Sequence, residues 1–178
     1  AEFISLANSG LSFTAKNALN YLKKRGVTRG DILRWKIGYC DTGEYRNRII
    51  IPSFGMTGHA NFFEARTYSD DWLKYKKPKA SKDIIFNELY VDWSKDLILV
   101  EGIFDAIRAY SIGMPIPILG STVRVESKLF QKIVKYRPRV YVALDSDAEV
   151  KASIIARNLM NYDIKVYSID TSSYEDVA

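Results

Sequence analysis

The second half of the chain alternates short apolar runs with segments whose apolar residues recur at helical spacing. Each run is continuous and bounded by polar residues, which is typical of a strand buried on both faces of a parallel sheet. Strands are predicted at 97–100, 115–119, 139–144 and 164–169, and helices at about 104–112, 126–136 and 148–160. This alternation predicts the α/β class, with a four-stranded, mainly parallel sheet and flanking helices.

A smaller α+β pattern occupies the first half of the chain. Apolar residues recur at helical spacing over 15–22, before a glycine that is typical of a helix end. A second, short helix is predicted over 28–35, with Thr28 as its N-cap. Apolar runs at 48–52 and 59–63 flank a turn bounded by glycines, which predicts a β-hairpin.

We place the division between the two patterns near residues 92–96, which gives a subdomain over 1–95 and an α/β domain over 96–178. The first part carries 16 Lys and Arg against 10 Asp and Glu, whereas the second carries 10 against 11. A basic part joined to a part with clustered acids indicates a polyanion binder attached to a metal site. A lysine-rich solvated surface explains the charge equally well, so charge alone leaves both interpretations open.

Composition excludes several classes of protein. No run approaches the roughly 20 apolar residues of a membrane span, and no signal-peptide pattern begins the sequence. A single cysteine, Cys40, and a single histidine, His59, leave no internal disulfide and no multi-cysteine zinc site. Cys40 is more typical of a small core residue than of a nucleophile. A single cysteine also fits a reducing, intracellular compartment. The sequence does not begin with Met, so we expect a fragment of a longer protein.

Acidic residues follow two of the predicted strands. Glu101 ends the first strand of the second half, Asp105 lies about one turn into the next helix, and Asp145 ends the third strand, two residues before Asp147. Ligands of open α/β sheets bind outside the carboxyl ends of the strands, so these acids are expected to face one crevice. Neighbouring carboxylates repel each other unless a cation neutralises them, and oxygen ligands favour magnesium or manganese. The alternative is that each acid is an ordinary polar residue at a strand end.

These acids lie in segments that resemble a known domain. Leu97–Ala106, which reads LILVEGIFDA, resembles the glutamate motif of the Toprim domain. Ala143–Ala148, which reads ALDSDA, resembles its DxD motif, and Glu175–Val177 is similar to the start of its last acidic motif. The resemblance implies a Toprim-type sheet that is cut short at its C-terminus.

The Toprim resemblance also implies roles for individual acids. It makes Glu101, Asp145 and Asp147 the catalytic, metal-binding acids. Asp105 and Asp176 are expected to complete a second metal position. Asp170 competes with Asp176 for that role, but the resemblance places the last acid beyond the strand.

Segments of the first half resemble DnaG-type primases. Tyr21–Tyr39 is similar to the segment that opens the basal half of the primase RNA polymerase domain, and Arg48–Phe54 resembles that family's arginine-led strand. Ala65–Arg66 lies where the family carries Gly-Gly-Arg, and Lys74–Lys77 is similar to its Lys-Tyr-Leu-Asn motif. Basal segment followed by Toprim is the family's order, and the matches together cover roughly residues 19–178. The first part is therefore expected to be a basal, nucleic-acid-binding subdomain.

Basic residues of the first part are the expected contacts for nucleic acid or nucleotide. They are Arg48, Arg66, Lys74, Lys76 and Lys77. Trp72 and Tyr75 are interleaved with the lysines, a combination typical of a groove that holds a single strand by its phosphates and stacks its bases. A solvated loop is the alternative.

The resemblance implies the catalytic core of a DNA primase, which makes short RNA primers on a single-stranded DNA template from ribonucleoside triphosphates. Magnesium is the expected cofactor, with manganese as a substitute and no zinc in this chain. Further expected partners are a replicative helicase and a zinc-binding module, and no association with a membrane is expected. The protein is expected in the cytoplasm or, if it is viral, in the host cytoplasm or nucleoid. Asn47 and Glu64–Ala65 replace glycines that are typical of the family, which suggests a divergent member, of bacterial or viral origin. A Toprim-family nuclease and a non-catalytic single-strand-binding module are the alternatives.

Overall fold

The computed structural model of the protein describes residues 3–69, 72–81 and 83–169. The predicted metal ligand Asp176 and its competitor Asp170 lie outside the described residues. The chain divides into two compact units, Ala1–Ala80 and Ser81–Ala178. This division precedes the one expected from the sequence because Ile85 is buried in the core of the second unit, where Val91 and Trp93 pack against the same cluster.

The first unit contains an antiparallel sheet of five strands in the order β1-β2-β3-β4-β5. The strands are β1 (Phe3–Ser5), β2 (Gly38–Cys40), β3 (Arg48–Phe54), β4 (Ala60–Thr67) and β5 (Tyr75–Lys76). Strands β3 and β4 form the predicted hairpin, whereas β1, β2 and β5 were not foreseen from the sequence. Cys40 lies buried in β2, where burial raises the pKa of its thiol, as expected of a core residue.

Two capped helices accompany this sheet, α1 (Phe13–Lys24) and α2 (Arg29–Arg34). The hydroxyl of Ser12 accepts a hydrogen bond from the Ala15 N–H and begins α1. Thr28 begins α2, as predicted, and forms a capping box with Asp31, in which each side chain accepts a hydrogen bond from the other residue's N–H. The caps fix the start of each helix at the point where apolar residues begin to recur at helical spacing.

The second unit contains the four-stranded sheet that the sequence predicts, and all its neighbouring strands are parallel. The strands are β6 (Leu97–Val100), β7 (Met114–Pro117), β8 (Val140–Ala143) and β9 (Val166–Ser168), in the order β7-β6-β8-β9. The helices are α3 (Ile103–Ala109), α4 (Lys128–Tyr136) and α5 (Glu149–Met160). All four residues of β6 are buried. This agrees with the strand covered on both faces that its continuous apolar run predicts.

The strand order creates a crevice at one position. The chain leaves β6 for β7 on one side, and then returns through α4 to β8 on the other side of β6. Connections therefore run in opposite directions from the adjacent strands β6 and β8. In open α/β sheets, ligands bind at such a switch point, outside the carboxyl ends of the strands.

Within the described part of the chain, no helix combines the length and apolar character needed to cross a membrane.

Candidate functional site

Three of the predicted acids line one cavity at the switch point of the second unit. Val100 of β6 lies opposite Ala143 of β8, so Glu101 and Asp145 extend beyond the same edge of the sheet. Glu101, Asp145 and Asp147 all line an open cavity of about 570 Å³. The expectation that these acids share a crevice therefore agrees with the geometry, whereas their catalytic and metal-binding roles stay predictions.

The two aspartates lie on a short 3-10 turn that follows β8. The carbonyl of Asp145 accepts a hydrogen bond of 2.9 Å from the N–H of Ala148, which closes the turn over Ser146–Ala148. Both aspartates are exposed, and Glu101 is half-buried. The turn keeps the two carboxylates at the mouth of the crevice before α5 begins.

Basic and polar side chains form the other walls of this cavity. They include Arg124, Lys151, Thr122 and Asn158, and apolar residues, most of them on α5, complete the lining. Carboxylates and cations thus face the same space. A phosphate with its counter-cation carries the matching pair of charges.

Lys151 is ion-paired with Glu101. Its ammonium nitrogen Nζ lies 3.0 Å from Oε1 and 3.2 Å from Oε2 of the carboxylate. Lys151 was not among the site residues predicted from the sequence. Lys151 could have been predicted from its position, because it lies one turn after Asp147, in the first turn of a helix that starts at the crevice.

Asp105 has a different local role from the other acids. Its Oδ2 accepts a hydrogen bond of 3.1 Å from the N–H of Gly102 and so caps the first turn of α3. Asp105 is not among the residues that line the cavity. Its expected role at a second metal position stays a prediction.

The donor chemistry of the cavity fits a hard divalent cation, since the acidic side chains that line it offer only oxygen atoms. Among residues 3–69, 72–81 and 83–169, no group of three or more His, Cys, Asp or Glu side chains is placed to hold a metal ion. In this arrangement the ammonium of Lys151 neutralises Glu101.

The first unit buries one of its predicted nucleic-acid contacts, Arg48. This side chain is 4% exposed, and its Nη1 donates hydrogen bonds to the carbonyls of Leu73, at 2.9 Å, and Ala65, at 3.5 Å. Arg48 therefore ties the segment before β5 to the sheet. Its expected contact with nucleic acid stays a prediction, and the buried side chain has little accessible surface for it.

Arg66 belongs to a cluster of cations and rings. Its Nε donates a 2.9 Å hydrogen bond to Oη of Tyr21, and its guanidinium lies 4.5 Å from the ring centroid of Tyr75. Nη1 of Arg25 donates to the same Tyr21 oxygen, at 3.1 Å. Two guanidinium groups therefore converge on one phenol. Tyr21 and Arg25 were not predicted as site residues, although both lie in the segment that resembles the start of the primase basal region.

The three predicted lysines differ in their surroundings. Lys74 is exposed. Lys76 pairs with Glu44 at 3.0 Å, and Lys77 lies 3.5 Å from the carboxylate of the buried Glu64. Burial raises the pKa of Glu64, and Lys77 opposes that rise. Lys77 is thus needed inside the unit as a counter-charge.

A second cavity, of about 630 Å³, lies along α1. It is lined by Asn17, Asn20, Tyr21, Lys23, Lys24, Tyr68 and Ser69. Of the described residues that line it, none is acidic. This surface is basic and aromatic, as a single-strand contact requires.

Comparisons with known proteins place this fold among primases. No protein-family model matches the chain. The chain is 28% identical to the uncharacterized protein MG010 of Mycoplasma genitalium over 155 residues, which is 82% of this chain and 68% of that protein. It is 23% identical to the DNA primase of Thermotoga maritima, an alignment that covers 91% of this chain but only 36% of the primase.

Solved structures give the same result for the fold. The E. coli primase catalytic core superposes with a TM-score of 0.71 at 18% identity, covering 90% of this chain and 67% of that core. The DnaG primase catalytic domain bound to ssDNA gives 0.75 at 18% identity, covering 90% and 65%. A DNA primase domain from Pseudomonas aeruginosa gives 0.74 at 19% identity, covering 94% and 67%. The chain therefore has the fold of DnaG primase catalytic cores and spans about two thirds of their length.

Proposed function

We propose that the protein is the catalytic core, or part of the core, of a DnaG-type DNA primase. The observation that carries the proposal is the shared cavity of Glu101, Asp145 and Asp147 at the switch point of a sheet with the primase fold. The reaction is template-directed RNA synthesis, in which a 3′-hydroxyl loses its proton and attacks the α-phosphate of an incoming ribonucleoside triphosphate, the bond between the α- and β-phosphates breaks, and pyrophosphate leaves.

The cavity supplies the charges that this reaction needs. Magnesium, or manganese in its place, held by Glu101, Asp145 and Asp147, would neutralise phosphate charge and align the reacting groups. Arg124 and Lys151 line the same cavity and carry charges that attract the triphosphate. We assign Asp105 and Asp176 to a second metal position, where Asp105 would use the oxygen that does not cap α3.

Nucleic acid is the proposed partner of the first unit. DnaG primase domains have been solved bound to ssDNA and, for the Mycobacterium tuberculosis protein, with double-stranded DNA. We propose that Arg66 and Lys74 contact the phosphates of a single-stranded template, with the rings beside them available for stacking. Such contacts do not read sequence and weaken steeply with salt.

Other parts of the proposed system lie outside this chain. A zinc-binding module and a replicative helicase are the expected partners, and the cytoplasm is the expected compartment. The T. maritima primase is considerably longer than the aligned chain, which leaves room for such modules in a whole protein.

A primer-synthesis assay tests the proposal. The protein is incubated with end-labelled single-stranded DNA, labelled ribonucleotides and magnesium or manganese, and both labels are resolved on one gel. The variant that combines Asp145→Ala with Asp147→Ala removes two of the three cavity acids. Glu126→Ala, which replaces an exposed acid outside the cavity lining, is the matched control.

We expect metal-dependent ribonucleotide oligomers from the wild type and from Glu126→Ala, and none from the double variant. Shortened DNA without oligomers would move the assignment to a Toprim-type nuclease. If neither product forms, a zinc-binding module is added in trans. Continued inactivity would leave a module that only binds single strands and would refute the primase assignment.

A further inference from the structure

An ion pair joins α5 to the end of β6 and involves one of the cavity acids, Glu101. Both carboxylate oxygens of Glu101 accept from the ammonium of Lys151, at 3.0 and 3.2 Å. The Lys151 side chain is 20% exposed and that of Glu101 is 25% exposed. The pair is therefore largely withdrawn from solvent, and salt screens it less than an exposed pair.

We propose that Lys151 is the resident counter-cation of Glu101, which a divalent metal ion must displace before Glu101 can act as a ligand. Lys151 thereby sets the metal affinity of the cavity. This inference rests on the proposed function, specifically on Glu101 as a metal ligand. Lys151 acts through Glu101 and is a positioning residue in this respect.

Competition follows from the geometry of the pair. The ammonium contacts both oxygens of Glu101, so a metal ion would approach the same electron pairs. Two cations on one carboxylate at this distance repel each other strongly. The flexible four-carbon side chain of Lys151 allows the ammonium to leave without moving α5. Metal binding thus includes the loss of an existing ion pair.

The two aspartates of the cavity are more exposed than Glu101. They are exposed on the turn after β8, and Lys151 is ion-paired with the glutamate at the end of β6. Glu101 thus lies deeper in the cavity, in contact with Lys151, and the two aspartates lie at its solvent-facing mouth. We expect the first metal contacts at the aspartates, and the contact with Glu101 only after the lysine has moved.

Manganese binding to the full chain, measured from the electron paramagnetic resonance signal of free Mn²⁺, tests the inference without any activity assay. Lys151→Met removes the charge and keeps most of the side-chain length, and Lys151→Arg keeps the charge. Neighbours of metal ligands change metal affinity by about 10- to 100-fold. We expect Lys151→Met to bind Mn²⁺ about tenfold more tightly than the wild type, and Lys151→Arg to stay close to it.

Equal or weaker binding by Lys151→Met, with an unchanged circular dichroism spectrum, would overturn the inference. The ion pair would then be only a clamp between α5 and β6. Glu101→Gln provides a second control, because the gain from Lys151→Met should shrink in that background. An equal gain there would show general charge repulsion in the cavity and would also overturn competition for Glu101.

A further variant separates this inference from the proposed function. Asp145→Asn combined with Asp147→Asn should abolish tight Mn²⁺ binding if the cavity is the metal site. If that variant loses binding while Lys151→Met gains nothing, only the role of Lys151 fails. If it binds as the wild type does, the cavity is not the metal site and both proposals fail.

Discussion

The buried carboxylate of Glu64 makes the stability of the first unit depend on Lys77. Glu64 lies on β4 with its side chain 6% exposed, and its Oε2 is 3.5 Å from the ammonium of Lys77. Burial raises the pKa of Glu64 above its ordinary value of 4.5, and Lys77 counteracts this by charge and by a hydrogen bond. We therefore expect Lys77→Met to leave a buried negative charge without its main counter-charge.

The size of the effect follows from the distance and the exposure. Two unit charges at 3.5 Å attract by about 5 kcal/mol at an effective dielectric constant of about 20. The Lys77 side chain is 32% exposed, so solvent already weakens the pair. Breaking a fully buried pair costs about 3–5 kcal/mol, and an exposed pair contributes about 0–1 kcal/mol. We expect Lys77→Met to lower the free energy of unfolding by about 2 kcal/mol at neutral pH.

The effect should depend on pH in a defined direction. Because the folded-state pKa of Glu64 is raised, its ionised form opposes folding, and this penalty disappears as pH falls through the folded pKa. Lys77→Met raises that pKa further, so the variant suffers most at neutral pH. Near pH 4, where Glu64 is largely protonated with or without the lysine, most of the difference from the wild type should vanish.

Urea denaturation at about pH 7.5 and pH 4 measures this difference. Amide hydrogen exchange of peptides from β3 and β4 reports on the first unit separately from the second. Lys74→Met is the matched control, since it removes the same charge from an exposed position in the same segment. The reasoning is refuted if Lys77→Met loses equal stability at both pH values, or if Lys74→Met loses as much.

Three further predictions address local structure and binding. Thr28→Ala removes the capping box of α2 and should lower the free energy of unfolding by about 1 kcal/mol in urea denaturation. Gly38→Ala should destabilise the first unit strongly, measured by thermal melting, because the new methyl group would collide with the ring of Phe3 and with the backbone carbonyl of Ile4, and would push β1 away from β2. Arg66→Ala should weaken single-stranded DNA binding in fluorescence anisotropy and reduce the slope of log affinity against log salt concentration by about one unit. Lys95→Ala in the second unit should change neither the affinity nor the slope. Equal effects of the two variants would contradict the proposed role of Arg66.

Most of the second unit could be predicted from sequence because strands β6, β7 and β8 consist of continuously apolar residues. Strand β6 is buried throughout and follows from its own composition. In the first unit, β1 has three residues and β5 has two, and β5 lies within a lysine-rich segment. Such strands exist because a partner strand supplies their hydrogen bonds, so their own side chains carry little signal. The place of Ile85 in the second core is likewise a long-range contact that local pattern does not encode.

Some features of the candidate site could likewise be predicted from the sequence, and others could not. Parallel topology and strand ends were enough to bring Glu101, Asp145 and Asp147 to one crevice. The capping role of Asp105 and the ion pair of Lys151 depend on side-chain directions at the ends of α3 and α5. A sequence shows that a charge is present near a site, but the partner of that charge is decided by the packing of neighbouring elements.

Arg48 and Arg66 show how register decides the fate of similar residues. Both are arginines in adjacent strands, and both were predicted to contact nucleic acid. Arg48 lies opposite Thr67, whereas Arg66 lies opposite Ile49 and, on its other side, Tyr75. Because side chains alternate between the faces of a sheet, the one-residue offset places the two arginines on opposite faces. On one face of the sheet Arg48 is buried against backbone carbonyls, and on the other face Arg66 contacts Tyr21 and Tyr75. We therefore base the proposed contact with single-stranded DNA on the face that carries Arg66.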